Sequence, residues 1–220
     1  MDFTTQLLST IPAWVLNVSC LLIIIFVLCS IDWNKISGKE MSGRLLLSAL
    51  ALALVWMIRG SLESGLNIHL LGTMLVTLVY GWRIGIVVMA MVCSLASAWG
   101  NIPVQNLGLT ILLHAIGGVS FCYLFFLVVE ARLHRHLFIY LYVSAFLGSA
   151  LNYVLMGTVS CVLLAMAGIY SWDLLRSEFL PYYYLMSFSE AFLSCGLLTL
   201  AVVYRPDWVY SFRDERYLSR

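Results

Sequence analysis

The chain has 220 residues, of which 62% are hydrophobic and only 10% are charged. Soluble globular domains average about 45–50% apolar and about 25% charged residues, so this composition excludes an ordinary soluble domain and predicts a membrane protein. The formal net charge of +1 argues against a nucleic-acid partner. Proteins that bind nucleic acid need a concentrated basic face to displace counterions from phosphates.

Seven apolar segments meet or approach the length of about 20 residues that a membrane-spanning helix needs. They cover residues 11–30, 44–58, 66–80, 84–99, 107–129, 137–159 and 183–204. The sixth apolar run continues to Ile169, and we interpret its last part, after Gly157, as an interfacial or re-entrant helix. The sequence therefore predicts an all-α fold, a single polytopic bundle of about seven transmembrane helices.

The distribution of lysine and arginine predicts the orientation, because basic residues are retained on the cytoplasmic side of a membrane. One predicted side carries Lys35, Lys39, Arg44, Arg83, Arg132, Arg135, Arg205, Arg213, Arg216 and Arg220. The opposite side carries only Arg59 and Arg176. This asymmetry predicts an N-terminus outside and a C-terminus in the cytoplasm, which fits an odd number of spans.

Aromatic residues concentrate near the predicted span boundaries, where their amphipathic rings suit the lipid headgroup layer. We interpret them, Trp56 and Tyr183 among them, as an interfacial belt and not as a substrate site. The six cysteines stand singly, without a Cys-x-x-Cys pair, which predicts buried apolar side chains and no disulfide framework. Met89 and Cys93 share a helix face, and soft sulfur ligands of this kind suit Cu(I). Packing in the core is the simpler interpretation of these two side chains.

Five polar residues are candidates for a metal site: Glu63, His69, Asn106, His114 and Glu190. Polar groups at membrane depth are costly, so they usually face the bundle interior and mark a substrate or ion path. Neutral imidazole is a good ligand for divalent nickel, cobalt, copper or zinc. An interhelical hydrogen bond is the alternative role for each histidine. A buried Glu190 requires a partner or a polar cavity, because an isolated carboxylate is expensive to bury.

Sequence motifs of common enzymes are absent. The chain has no Gly-x-Ser-x-Gly, P-loop, His-Glu-x-x-His or Gly-x-Gly-x-x-Gly pattern and no acidic cluster of a two-metal hydrolase. We therefore expect no enzymatic activity. An ATP-driven function would require a separate ATPase chain.

Several stretches resemble one known family. Residues 67–72 (NIHLLG) resemble its Gly-x-His-Leu-x-Gly segment, which is the most specific of the matches. Residues 106–108 and 117–118 resemble its Leu-Gly-Ala-Asn region, and residues 189–196 and 205–207 resemble its final Pro-Glu-Ala helix and Arg-Pro-Asp end. The family is CbiM/NikM, the membrane-embedded substrate-capture subunits of cobalt and nickel energy-coupling-factor transporters.

The resemblance implies a bundle of about seven spans in the bacterial inner membrane, with an extracytoplasmic N-terminus. It also implies a transmembrane coupling protein and ATPase subunits as partners. Nickel or cobalt is the favoured substrate, and copper or zinc is the alternative. In the family, the amino terminus and histidine of an N-terminal Met-His bind the metal together with the histidine matching His69. This sequence begins Met1-Asp2-Phe3, so the second imidazole is missing. Either Asp2, His114, Glu63 or a sulfur ligand substitutes, or the chain is a divergent member with another substrate or a non-transport role.

Two functions are compatible with these features. The first is a membrane subunit that captures a divalent transition metal on the outer face, near His69. The alternative is a non-transport membrane module, an accessory or assembly subunit of a larger membrane complex. A stable partner unrelated to an ATPase system, with no metal in the purified protein, would favour the second.

Overall fold

Six long helical stretches dominate the part of the chain that a computed structural model describes. The structure describes residues 13–33, 39–61, 67–213 and 217. The helices are numbered in chain order as α1 Ala13–Cys29, α2 Lys39–Met57, α3 Thr73–Ala98, α4 Val104–Arg132, α5 Leu137–Met166 and α6 Trp172–Tyr204. Between α2 and α3, the two-residue strands β1 (Gly60–Ser61) and β2 (Asn67–Ile68) pair antiparallel, with Gly60 opposite Ile68.

Helices α2 to α6 are long and apolar enough to cross a membrane, and α1 is apolar but shorter. Their outward faces carry large exposed apolar side chains, such as Phe26 and Leu185, whereas buried polar side chains lie inside the bundle. This distribution is the one expected of helices surrounded by lipid. The predicted all-α membrane bundle is thereby confirmed, and the predicted number of spans and their orientation remain predictions.

Helix α3 is the centre of the bundle, since each of the other five helices packs against it. It contains a break at Gly81, where φ is +77° and ψ is −178°. A methyl group placed on Gly85 would lie 3.6 Å from the Cα atom of Thr77. Eight residues of straight helix would separate these positions by about 12 Å. The chain therefore folds back sharply at Gly81, in a conformation that favours glycine.

The reversal at Gly81 divides α3 into two arms, as the sequence pattern predicted two segments here. Residues 66–80 and 84–99 were predicted as two separate segments, and the break at Gly81 falls between them. The first half of α3, from Thr73 to Tyr80, is the shorter arm and follows directly from the segment that carries His69.

Two residues of the tail that follows α6, Tyr210 and Ser211, donate hydrogen bonds to the end of the first half of α3. The backbone N–H of Tyr210 donates to the Val79 carbonyl at 3.0 Å, and that of Ser211 donates to the Leu78 carbonyl at 3.1 Å. The Ser211 hydroxyl also donates to the Leu78 carbonyl, at 2.8 Å. The last turn of a helix leaves carbonyl groups without helical partners, and here the tail supplies their donors.

Helix α5 differs from the prediction at its end. The predicted separate helix after Gly157 is wrong, because the helix containing this glycine continues without interruption to Met166. Gly157 instead allows close helix contact, since a methyl group there would lie 2.0 Å from the Cδ1 atom of Tyr183 on α6. Small residues that let neighbouring helices approach are typical of membrane bundles.

Helix α4 changes its winding along its length. It begins with a 3₁₀ turn at Val104–Asn106, is α-helical over Leu107–Thr110, widens to a π-helix over Ile111–Gly118, and returns to α-helix over Val119–Arg132. Short π segments are uncommon and often occur at functional sites. His114 lies within this one.

Candidate metal site

His69 begins the connection between β2 and α3, and residues 69–72 are called the His69 loop. Three surrounding helices hold this loop through its backbone. The hydroxyl of Tyr153 on α5 donates to the His69 carbonyl at 2.9 Å. The indole N–H of Trp56 on α2 donates to the Leu71 carbonyl at 3.2 Å. The loop is therefore fixed in the interior by side chains from distant parts of the sequence.

Glu190 on α6 supplies the third support of the His69 loop. Its Oε2 atom accepts a hydrogen bond from the Leu71 N–H at 2.8 Å, and its Oε1 atom accepts one from the Gly72 N–H at 2.7 Å. The side chain is 1% exposed. Gly72 has φ +68° and immediately precedes α3, so the carboxylate caps the N-terminus of this helix, where negative charge is favourable.

Two histidines and a tryptophan form the centre of the site. The ring centroids of His69 and His114 lie 6.5 Å apart. The indole of Trp56 lies 4.5 Å from the His69 ring and 5.9 Å from the His114 ring, centroid to centroid. Histidines from the loop and from the π segment of α4 thus meet at one aromatic side chain. We call these two imidazoles the imidazole pair.

The protonation of His69 follows from one contact. Its Nδ1 atom lies 3.1 Å from the Leu70 carbonyl oxygen. A carbonyl oxygen only accepts hydrogen bonds, so Nδ1 carries the proton and the lone pair of the neutral ring is on Nε2. This tautomer provides the form of imidazole that binds a metal.

His114 is fully buried, with 0% of its surface exposed. Within the described part of the chain, neither its Nδ1 nor its Nε2 atom has a hydrogen-bond partner. A buried polar group without a partner costs about 1–3 kcal/mol. The π segment therefore buries an imidazole whose two nitrogen atoms have no hydrogen-bond partner among the described residues.

The separation of the imidazole pair is compatible with a shared ion. Two imidazoles bound on opposite sides of one ion, an arrangement that square-planar nickel or copper allows, have ring centroids about 6.4 Å apart at metal–nitrogen distances of about 2.0–2.1 Å. The observed distance is 6.5 Å. Among the described residues, no group of three or more His, Cys, Asp or Glu side chains is arranged to hold a metal. Further ligands would therefore be other groups, water, or residues outside the described ranges.

The family model described as "Cobalt uptake substrate-specific transmembrane region" matches residues 3–208. The chain belongs to the CbiM family. The match confirms the family that the sequence motifs indicated and supports a membrane component of metal uptake. No curated protein matches the chain.

Two solved structures share the fold of this CbiM family member. One, a transition metal transporter, has a TM-score of 0.77 and 12% identity, over 91% of this chain and 92% of its own. The other, a truncated transition metal transporter, has a TM-score of 0.76 and 13% identity, over 92% of this chain and 98% of its own.

The predicted site residues of this CbiM family member occupy different positions. His69 and His114 are brought together at Trp56. Asn106 is fully buried near the start of α4, and its backbone carbonyl accepts a hydrogen bond from the Thr110 hydroxyl at 2.9 Å. Glu190 holds the His69 loop, with one backbone amide bound to each of its two carboxylate oxygens. Glu63 lies outside the described residues.

Sequence reasoning missed two aromatic residues of the site. Trp56 and Tyr183 were assigned to an interfacial belt, yet they are 2% and 1% exposed. Tyr183 stacks on Tyr153 with centroids 4.6 Å apart, and Tyr153 in turn holds the His69 carbonyl. Position near a span boundary does not distinguish an indole in the headgroup layer from one that reaches a buried carbonyl.

Replacing Tyr153 by phenylalanine tests the support of the His69 loop from α5. The variant keeps the ring but leaves the His69 carbonyl without this donor, so we expect a loss of about 1 kcal/mol of stability and weaker metal binding. Thermal unfolding in detergent measures the first effect and Co²⁺ titration the second.

The matched control for this variant is Tyr142→Phe on the same helix, because Tyr142 is 61% exposed. It should leave both measurements unchanged. Equal behaviour of the two variants would contradict a supporting role for the Tyr153 hydroxyl.

Proposed function

We propose that this protein is the metal-capturing membrane subunit of a divalent transition-metal uptake system of the energy-coupling-factor type. It captures the metal on its outer face, at His69 and His114, and nickel or cobalt is the favoured substrate. The observation that carries the proposal is the imidazole pair, because His114 offers two buried ring nitrogens without hydrogen-bond partners in the described chain.

The chemistry of the pair supports a borderline transition metal. Neutral imidazole binds nickel, cobalt, copper and zinc, whereas magnesium and calcium prefer oxygen ligands. A bound ion would also provide a partner for a polar atom of His114 that is otherwise buried at a cost. Trp56 packs against both rings and excludes water from them.

The rigid His69 loop supports capture by a preorganised site. Its backbone is held by Tyr153, Trp56 and Glu190, so the imidazole is positioned before a metal arrives. Preorganisation increases affinity because binding then orders fewer groups. The remaining ligands are proposed to come from water or from residues such as Glu63.

Energy for transport is proposed to come from partner chains. The sequence has no nucleotide-binding motif, so a transmembrane coupling protein and ATPase subunits would drive release. We propose the bacterial inner membrane as the location of this complex. The basic residues of the predicted cytoplasmic side would lie on the same side as these partners.

Co²⁺ titration of the purified protein tests the proposed site. His69→Ala and His114→Ala should each weaken binding by more than about tenfold, since even residues behind metal ligands contribute 10–100-fold. His136→Ala is the matched control, because His136 is exposed at the start of α5. Unchanged Co²⁺ affinity in both site variants would refute capture by the imidazole pair.

A further inference from the structure

Two arginines from distant parts of the chain meet at one tryptophan at the end of the bundle. Arg44 lies in the second turn of α2, and Arg205 directly follows α6. Their guanidinium carbons lie 5.1 Å and 5.7 Å from the centroid of the Trp208 ring. The face of an indole attracts a cation, but two positive charges held at one ring also repel each other. We call Arg44, Arg205 and Trp208 the arginine cluster.

The arginine cluster has no acidic partner within the described part of the chain. Neither guanidinium forms a salt bridge there, although Glu40 and Asp207 are near in sequence. Among these residues, Arg44 donates from Nη2 to the Met41 thioether sulfur at 3.2 Å, and such a sulfur is a weak acceptor. A guanidinium presents five N–H donors in a planar fork that matches a phosphate. The cluster therefore offers donors and positive charge to an anion from outside the chain.

An apolar groove begins about one helical turn from the arginine cluster. It has a volume of about 270 Å³ and is lined by α2, α6, the His69 loop and the first half of α3. Ser48 of the lining lies four residues after Arg44, and residues four apart lie on one side of a helix. Ala201 of the lining accepts a hydrogen bond from the Arg205 N–H at 2.8 Å. The groove and the cluster are thus neighbours along both helices.

The lining of this groove offers few polar atoms. The hydroxyl groups of Ser48 and Tyr80 lie 2.6 Å apart and share a hydrogen bond. Apart from Ser194, the other lining residues are alanine, valine, leucine and one glycine. Leu193 and Leu197 of the lining are 37% and 44% exposed, so the groove opens on the outer surface of α6, which faces lipid. An occupant of the groove is therefore apolar and comes from the bilayer.

We infer that the arginine cluster and the groove together bind one anionic phospholipid. The headgroup phosphate accepts hydrogen bonds from the cluster, and one acyl chain lies in the groove, toward Leu70 of the His69 loop. Trp208 is 47% exposed and suits the headgroup layer. Basic pockets between transmembrane helices are known headgroup sites. A helix of another protein would also fill an apolar groove, but the adjacent positive charge favours an occupant that carries an anion.

Native mass spectrometry of the detergent-purified protein, titrated with phosphatidylglycerol or phosphatidylcholine of the same acyl chains, tests this site. Each basic residue near a membrane surface contributes about fivefold to the binding of anionic lipid. Wild type should therefore prefer its first phosphatidylglycerol molecule over phosphatidylcholine by about 25-fold. Arg44→Gln/Arg205→Gln should bind the two lipids equally. Ala51→Leu, which fills the groove from an exposed position on α2, should weaken the binding of both lipids.

Charge and bulk have separate controls. Arg132→Gln removes an exposed arginine on the same predicted side of the membrane and should keep the preference. Ala131→Leu adds the same bulk at an exposed position outside the groove and should bind both lipids like wild type. Without added lipid, the double arginine variant should melt near the wild-type temperature, because relief of charge repulsion offsets the lost contacts with Trp208. It should lose only the stabilisation that phosphatidylglycerol gives wild type.

Three results would overturn the lipid site. The first is equal binding of the two lipids by wild type, and the second is an equal loss of preference in Arg132→Gln and in the double variant. The third is complete displacement of phosphatidylglycerol by an equal concentration of glycerol 3-phosphate, because the groove would then have no part in binding. Protein that retains no lipid at all would mean that another helix covers the groove. These results do not depend on Co²⁺ binding at the imidazole pair.

Discussion

Replacing Glu190 by alanine should lower the free energy of unfolding by about 3 kcal/mol and weaken Co²⁺ capture, because two charge-assisted hydrogen bonds are lost. The variant leaves the amides of Leu71 and Gly72 buried without acceptors. Each such bond is worth about 1.5–3 kcal/mol, and relief from burying the carboxylate offsets part of the loss. The His69 loop is then held only from α2 and α5.

Thermal unfolding in detergent and Co²⁺ titration measure the two effects. Glu178→Ala is the matched control, since Glu178 lies in the same helix and is exposed. Glu190→Gln distinguishes charge from shape. Glutamine has one acceptor oxygen, and its amide N–H₂ group would face the second backbone donor, so this variant should be nearly as unstable as Glu190→Ala. A Glu190→Ala protein that melts like wild type would contradict the capping role.

Replacing Gly108 by alanine should destabilise the bundle by about 2–3 kcal/mol, the upper part of the range of about 1–3 kcal/mol typical of overpacking in a core. The added methyl group would lie 2.4 Å from Oδ1 of Asn17 and 2.7 Å from its Cα atom. Backbone atoms of α1 cannot rotate away, so α1 must move as a unit. That movement breaks the hydrogen bond from the Gly108 N–H to Asn17 Oδ1, which is 2.7 Å long.

Gly196→Ala on α6 is the control, because no atom lies within 4 Å of a methyl group at that position. It should be neutral or stabilise by up to about 1 kcal/mol, since alanine favours a helix more than glycine does. Melting temperatures of the two variants, compared in one detergent, decide the result. If Gly108→Ala were as stable as Gly196→Ala, close contact between α1 and α4 would be refuted.

Much of the architecture could be predicted from composition alone. A chain with so few charges has to bury its helices in lipid, and polar residues within apolar segments then have to face one another. On that reasoning His69 and His114 were selected, and the structure brings their rings to 6.5 Å. The family resemblance, carried by residues 67–72, was confirmed by the match over residues 3–208.

Other features depend on contacts that sequence spacing does not reveal. Glu190 was expected to need a partner, but the partners are backbone amides at Leu71 and Gly72, more than a hundred residues earlier in the chain. Apolar periodicity does not show that the helix after Gly157 continues. A glycine can mark the end of a helix, but it can also lie within a helix where a neighbouring aromatic ring packs closely. The burial of Trp56 depends on the Leu71 carbonyl, which the fold brings within reach.

The contact between the tail and α3 has a consequence for the order of biosynthesis. Ser211 follows Leu78, whose carbonyl it binds, by 133 residues. Chains emerge from the ribosome N-terminal end first, at about 5–20 residues per second. The turn at Gly81 therefore enters the membrane well before its hydrogen-bond donors are synthesised, and unpaired carbonyls are costly in lipid. The central helix is made early, but it reaches its final hydrogen bonding only after the residues that follow α6 have been synthesised.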